Sequence, residues 1–271
     1  LGIAVPAVVW DDPERQLVLW EDVGDMSLYV FCRQAASRTQ IMDGYRQVLE
    51  FLVDLQGRTA DRLDECRWLR YQPFGYETMR WETDYFRTCF LEQYCGLTRE
   101  DTRTLEPELH CLAAALADEP RFFMHRDFQS QNVFLCNDQV RVVDFQTAKR
   151  GLRQYDLASL LNDAYVDLRE DEQELLLQYY LDVMERDQHV SVERRRFREV
   201  FLQVSLQRLM QALGAFAFLS RRKGKTGFAV HIPRALQLLQ AGIFRAGQLP
   251  GLEETVGKAR MALSAQPEGE M

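Results

Sequence analysis

Between residues 121 and 146 three short apolar runs, RFFMH, NVFL and VRVVDF, interrupt a chain whose other segments mostly repeat at helical spacing. Runs this short, rich in aromatic and β-branched residues, read as strands. CNDQ separates the last two, and its Asn137 and Asp138 suit a hairpin turn. A small β island set among helices points to an α+β fold.

The flanking sequence agrees. AVPAVVWDD and QLVLWED read as two further strands joined at Asp11, Asp12 and Pro13, and EDVGD then breaks the pattern. From Ser27 to Gln56 apolar residues recur at helical spacing, as one long helix or two shorter ones, with Gly57 as the expected stop. WETDYFRTCFLEQYCGL predicts a helix ending at Gly96, and PELHCLAAALADEP another ending before Pro120. After Gly151 the segments YDLASLLNDAYVDL, EQELLLQYYLDVME, RRFREVFLQVSLQRLMQALGAFAFL and PRALQLLQAGIF all read as helical. No repeat, linker or composition shift marks a second independent domain.

At 271 residues, 46% of them apolar, the chain can bury a sizeable core. An excess of 41 acidic over 33 basic residues argues against nucleic acid as a partner, because phosphate-backbone binding needs a basic face. A small neutral or cationic substrate fits better. No apolar run approaches membrane-spanning length, so no membrane partner is expected. The six cysteines, Cys32, Cys66, Cys89, Cys95, Cys111 and Cys136, lack CxxC spacing and suit reduced thiols in a cytoplasmic protein. Oligomeric state is not legible.

In FFMHRDFQSQNVFLCNDQVRVVDFQ the hairpin supplies a geometry for three oxygen-bearing side chains. Asp127 and Asn132 lie in the loop entering NVFL, and Asp144 ends the strand that pairs back beside it, so all three can meet at one end. Phosphoryl transfer needs such a set: a carboxylate to orient a hydroxyl and accept its proton, and hard oxygens for Mg²⁺. Asp127 is the candidate base, and Asn132 and Asp144 are the candidate metal ligands.

HRDFQSQN and VVDFQ resemble the catalytic and metal-binding loops of the aminoglycoside phosphotransferase superfamily, which has a protein-kinase-like fold. The segments YDLASLLNDAYVDL, WETDYFRTCFLEQYCGL and RLMQALGAFAFLSRRKGKTGFAVHIPRAL are similar to one branch of it, the bacterial anomeric kinases of N-acetylmuramate and N-acetylglucosamine that serve cell-wall recycling. The resemblance runs from about residue 2 to residue 245. It implies an ATP- and Mg²⁺-dependent kinase of a small sugar, transferring phosphate to the anomeric hydroxyl, with Asp127, Asn132 and Asp144 in the roles given above. It also implies that Asp156 braces the catalytic loop and that backbone groups around Trp20, Glu21 and Asp22 meet the adenine. Residues 1–23 would be a remnant of the N-terminal β lobe with the hinge, and residues 24–271 the helical C-terminal lobe carrying the hairpin of residues 122–146. The aromatic-rich WETDYF has a plain core reading. Its competing role is sugar binding, in which Trp81 offers an apolar face and Glu82 or Asp84 bonds hydroxyls. Asp163 and Arg169 are candidates for the same pocket.

Gln146 stands where protein kinases have glycine, which argues against a protein kinase. No glycine-rich loop, strand lysine or helical glutamate for nucleotide phosphates precedes the hinge. Either the sequence begins part-way through the small lobe, which the non-Met start favours, or it is a natural remnant. The competing functions are an aminoglycoside or other small-alcohol phosphotransferase, and a degenerate large lobe that binds a sugar or partner without catalysis. KGKTG is not a phosphate-binding loop, because Leu219 occupies the position of its first glycine.

Overall fold

The computed structural model describes residues 2–71, 73–136 and 139–265. Along the chain these form β1 (Val8–Asp12), β2 (Leu17–Trp20), α1 (Leu28–Gln34), α2 (Arg38–Thr59), α3 (Arg67–Arg70), α4 (Tyr76–Tyr85), α5 (Glu106–Ala117), β3 (Arg121–Met124), β4 (Val133–Cys136), β5 (Gln139–Val142), β6 (Lys149–Leu152), α6 (Arg153–Leu161), α7 (Glu170–Gln188), α8 (Arg194–Arg221), α9 (Ile232–Ala246) and α10 (Pro250–Ser264). A π-helical stretch, Phe86–Tyr94, continues α4. The expected turn at Asn137 and Asp138 lies outside the described residues.

The predicted segment from Ser27 to Gln56 is two helices, because two serines cap in succession. Ser27 Oγ accepts from Val30 N and Ser37 Oγ from Gln40 N, each at 3.2 Å, with Ala35 extended between them. Gly57 does not stop α2, which continues to Thr59. Its missing side chain serves packing: a Cβ there would lie 3.0 Å from Gln188 Nε2.

Contacts divide the chain into two compact units, residues 1–73 with 121–192 and residues 74–120 with 193–271. No composition shift announces the division, because each unit joins two stretches distant in the sequence. In the first unit the strands form three antiparallel pairs, β1–β2, β3–β6 and β4–β5. The β1–β2 hairpin leaves Val9, Trp10, Leu19 and Trp20 exposed. α2 packs on α7. Tyr45, Val48, Leu49 and Leu52 are buried from one side, and Leu176, Tyr180 and Leu181 from the other. Polar groups inside this layer are paired: Tyr180 donates to Gln56 Oε1 at 2.5 Å, and Gln56 Nε2 donates to the carbonyl of Arg153 at 3.0 Å.

The second unit is helical. α8 packs on α9, α4 and the π-helical stretch. Gly214 permits a close approach, since a Cβ there would sit 2.9 Å from the Tyr85 ring and 3.1 Å from the Phe86 backbone nitrogen. α10, beyond the helices read from periodicity, is capped in tertiary fashion: Glu108 accepts from Gly251 N at 2.7 Å and Leu252 N at 2.8 Å.

Candidate active site

The loop from β3 to β4 carries Asp127 and Asn132, and Asp144 follows β5. Val133 pairs with Val142, and Val143 N donates to Asn132 O at 3.0 Å, extending the ladder by one step. Asn132 therefore lies opposite Val143, with Asp144 the next residue along. The hairpin register, rather than distance along the chain, brings the two side by side.

Backbone strain marks both ends of the site. Arg126 has φ 76° and Asp144 φ 62°, left-handed conformations that non-glycine residues seldom adopt. Arg126 is held there by Asp156. That carboxylate, fully buried in the first turn of α6, accepts from His125 N at 2.7 Å and Arg126 N at 2.8 Å. Charge-assisted bonds to two successive amides fix the loop just before Asp127.

Asp127 is half-buried. Its carbonyl accepts from Gln129 N at 3.0 Å and from Asn132 Nδ2 at 2.9 Å. With that amide nitrogen engaged, Asn132 has its Oδ1 to offer a cation. The Asp127 carboxylate accepts through Oδ2 from Thr147 Oγ1 at 2.9 Å. Thr147 was missed from the sequence. Its signal is a hydroxyl three residues beyond Asp144, on the turn between β5 and β6. His125 is 1% exposed, and burial pushes its imidazole below the usual range against the opposing charges of Asp127 and Asp144. It is therefore a neutral ring near pH 7.

Trp20, at the end of β2, meets Phe145 edge to face with ring centroids 5.7 Å apart, so the expected hinge adjoins the segment after Asp144. Glu21 closes the first hairpin: its amide donates to Ala7 O at 2.8 Å, and its Oε2 accepts from Ala7 N at 3.0 Å. Asp22 accepts from Gly24 N at 2.8 Å within its own turn.

The remaining candidates divide between the units. Trp81, Glu82 and Asp84 lie on α4 in the second unit. Trp81 is 56% exposed and stacks on Tyr85, centroids 5.3 Å apart and planes 9° from parallel. Asp84 pairs with Arg87 at 3.2 Å. Glu82 points the other way. It has no exposed surface and accepts from Gln207 Nε2 at 3.2 Å, so as placed it offers a ligand nothing. Asp163, in the first unit, is also turned inward: Oδ2 accepts from Ser130 N at 2.8 Å and Oδ1 from Tyr165 N at 2.9 Å. Arg169 caps α7 and donates to Glu172 at 2.9 Å.

Hard oxygens suit Mg²⁺, and Asn132 Oδ1 and the Asp144 carboxylate are oxygens of that kind. A carboxylate held by Thr147, following a loop braced by a buried aspartate and leading into the strand of Asn132, is the arrangement a phosphotransferase of protein-kinase-like fold uses. The chain matches the phosphotransferase enzyme family over residues 1–200 and belongs to it. It is 27% identical over 253 residues to an N-acetylmuramate/N-acetylglucosamine kinase of Neisseria meningitidis, covering 92% of this chain and 74% of that one. It is 25% identical to the protein of the same name from Pseudomonas aeruginosa, over 93% of this chain and 72% of the relative. Among solved structures it is similar to the gentamicin-APH(2")-IIa complex, with TM-score 0.60 and 18% identity, covering 88% of this chain and 77% of that one.

Proposed function

We propose that this protein phosphorylates an amino sugar, N-acetylmuramate or N-acetylglucosamine, at its anomeric hydroxyl, with ATP as donor and Mg²⁺ as cofactor. The observation that carries the reading is the Asp127 carboxylate, held by Thr147, on a loop whose Asn132 bonds the Asp127 carbonyl and lies opposite Val143, next to Asp144. The names of the two bacterial relatives support the sugar class.

Asp127 orients the sugar hydroxyl and takes its proton as that oxygen bonds to the γ-phosphorus of ATP and the bond from phosphorus to the bridging oxygen breaks, releasing ADP. The anomeric hydroxyl is a hemiacetal and more acidic than the ring's others, which lessens the demand on a carboxylate base. Asn132 and Asp144 would hold Mg²⁺, which would neutralise phosphate charge. Thr147 limits rotation of the carboxylate, and Asp156 keeps the preceding backbone in its strained conformation. Residues 1–23 contribute to the nucleotide lobe and hinge, with backbone around Trp20, Glu21 and Asp22 meeting the adenine. No helix among the described residues is long and apolar enough to cross a membrane. A cytoplasmic site, where the six free cysteines stay reduced, suits the use of ATP.

The test offers the full-length protein ATP and Mg²⁺ with N-acetylmuramate, N-acetylglucosamine, their 1-O-methyl glycosides, or an aminoglycoside. Phosphate transfer and loss of the reducing end are measured. Turnover is expected with the free amino sugars and not with the glycosides. Phosphorylation of the blocked glycosides refutes the anomeric assignment. Turnover of the aminoglycoside alone favours that substrate class, and sugar binding without transfer favours a binding module.

A further inference from the structure

α6 is buried from Tyr155 to Leu161 and carries a carboxylate near each end. Asp156 sits in its first turn, and Asp163 two residues past its last. Asp156 takes the amides of His125 and Arg126, on the near side of Asp127, and Asp163 takes the amide of Ser130 on the far side at 2.8 Å. We propose that Asp163 is a positioning residue for phosphoryl transfer, fixing through the Ser130 amide the middle of the loop that joins Asp127 to Asn132. The inference rests on Asp127 being the base.

Ser130 is wholly buried. Its carbonyl accepts from Tyr29 N at 3.0 Å, at the start of α1, so both of its backbone groups are committed to tertiary partners. The loop around it is irregular, and a buried amide there needs an acceptor that no strand or helix supplies. A carboxylate at 2.8 Å supplies one with charge. A displacement at Ser130 cannot stay local. Gln129 N donates to Asp127 O at 3.0 Å, Asn132 N to Gln129 O at 2.9 Å, and Asn132 Nδ2 to Asp127 O at 2.9 Å. These bonds tie the base and the metal ligand into one turn on either side of Ser130. Both Asp163 oxygens are already engaged by Ser130 and Tyr165, and the residue is only 6% exposed. Its influence on the reaction therefore runs through the loop and not through contact with a sugar.

The experiment compares Asp163→Ala and Asp163→Asn with the parent in the full-length protein, below the melting temperature of each. Asparagine keeps the volume but has one acceptor oxygen for two amides, and serves if the alanine variant fails to fold. Amide hydrogen exchange of the 125–135 segment is expected to quicken by about tenfold or more in Asp163→Ala, with α7 unaffected. In the same variant kcat should fall about tenfold or more, while KM for nucleotide and sugar stays within about threefold of the parent. The asparagine variant should fall between. In an Asp127→Asn background the Asp163 substitution should add little further loss in kcat, because the base it positions is gone. Unchanged loop exchange, kcat within about twofold of the parent, or a raised sugar KM with kcat preserved would each overturn the proposal. Parental turnover by Asp127→Asn alone would instead sink the assignment of the base, and the loop-exchange comparison would still decide whether Asp163 fixes the loop.

Discussion

Replacing Asp156 by alanine tests how the loop is held. The carboxylate is fully buried and accepts from two successive amides, His125 N at 2.7 Å and Arg126 N at 2.8 Å. Hydrogen bonds to a charged acceptor contribute about 1.5–3 kcal/mol each, so the pair is worth roughly 3–6 kcal/mol. The two amides do not lose equally. His125 is 1% exposed and its amide would be left without a partner, whereas half-buried Arg126 can regain water. The expected loss is therefore about 3–4 kcal/mol, a large part of a stability that typically totals about 5–15 kcal/mol. Asp156→Asn keeps one acceptor and turns an NH₂ group toward the other amide, so about 2 kcal/mol is expected for it. Arg126 gives a second handle. Its φ of 76° is a conformation costing on the order of 1–3 kcal/mol, and without Asp156 that strain should relax. Urea unfolding followed by circular dichroism gives the energies, and amide exchange across residues 122–132 gives the local effect. A loss below about 1 kcal/mol for Asp156→Ala, with exchange of His125 and Arg126 unaltered, would refute the reasoning.

Three further outcomes are expected. Asp127→Asn should lower kcat by about a hundredfold or more with sugar binding nearly intact, and Thr147→Val by about tenfold, since it removes one bond to the carboxylate; near-parental turnover in the first variant removes Asp127 from the role. Asp144→Ala should weaken Mg²⁺-dependent nucleotide binding more than Asn132→Ala, because an anion offsets more of the cation's charge than an amide, and titration of both with Mg²⁺ and nucleotide checks the order. Stability should fall as acid is added through Glu172. Burial alone would raise its carboxyl, but hydrogen bonds from Arg38 and from the Arg169 amide and guanidinium outweigh that and hold it at about 2. A group depressed in the folded state stabilises above its unfolded value and loses that contribution as pH falls. The window therefore runs from about 4.3 down to about 2, with at most about 3 kcal/mol at stake and less where half-exposed Arg38 is screened. Glu172→Gln should flatten the acid limb of a urea-unfolding series.

The amino-acid sequence by itself determined the elements whose signals are local. Apolar runs bounded by turn residues became β3, β4 and β5, and amphipathic periodicity became α5 and α7 to α9, whereas YDLASLLNDAYVDL is helical only as far as Leu161. The spacing of Asp127, Asn132 and Asp144 on a hairpin placed the last two together once NVFL paired with VRVV, because register is fixed by alternation and turn length. Tertiary structure decided whatever depends on partners distant in sequence. KRGL has no strand pattern of its own and becomes β6 only by pairing with β3. α10 begins where Glu108 can receive its first amides. Glu82 and Asp163 read as candidates for a sugar pocket until Gln207 in the one case and Ser130 in the other turn them inward, and Thr147 acquires meaning only when Asp127 lies 2.9 Å away. Composition and periodicity state which face of an element is apolar. They carry no record of which polar side chain inside that element will meet a backbone amide across the fold, since that choice is made by packing and by the need of every buried amide for an acceptor.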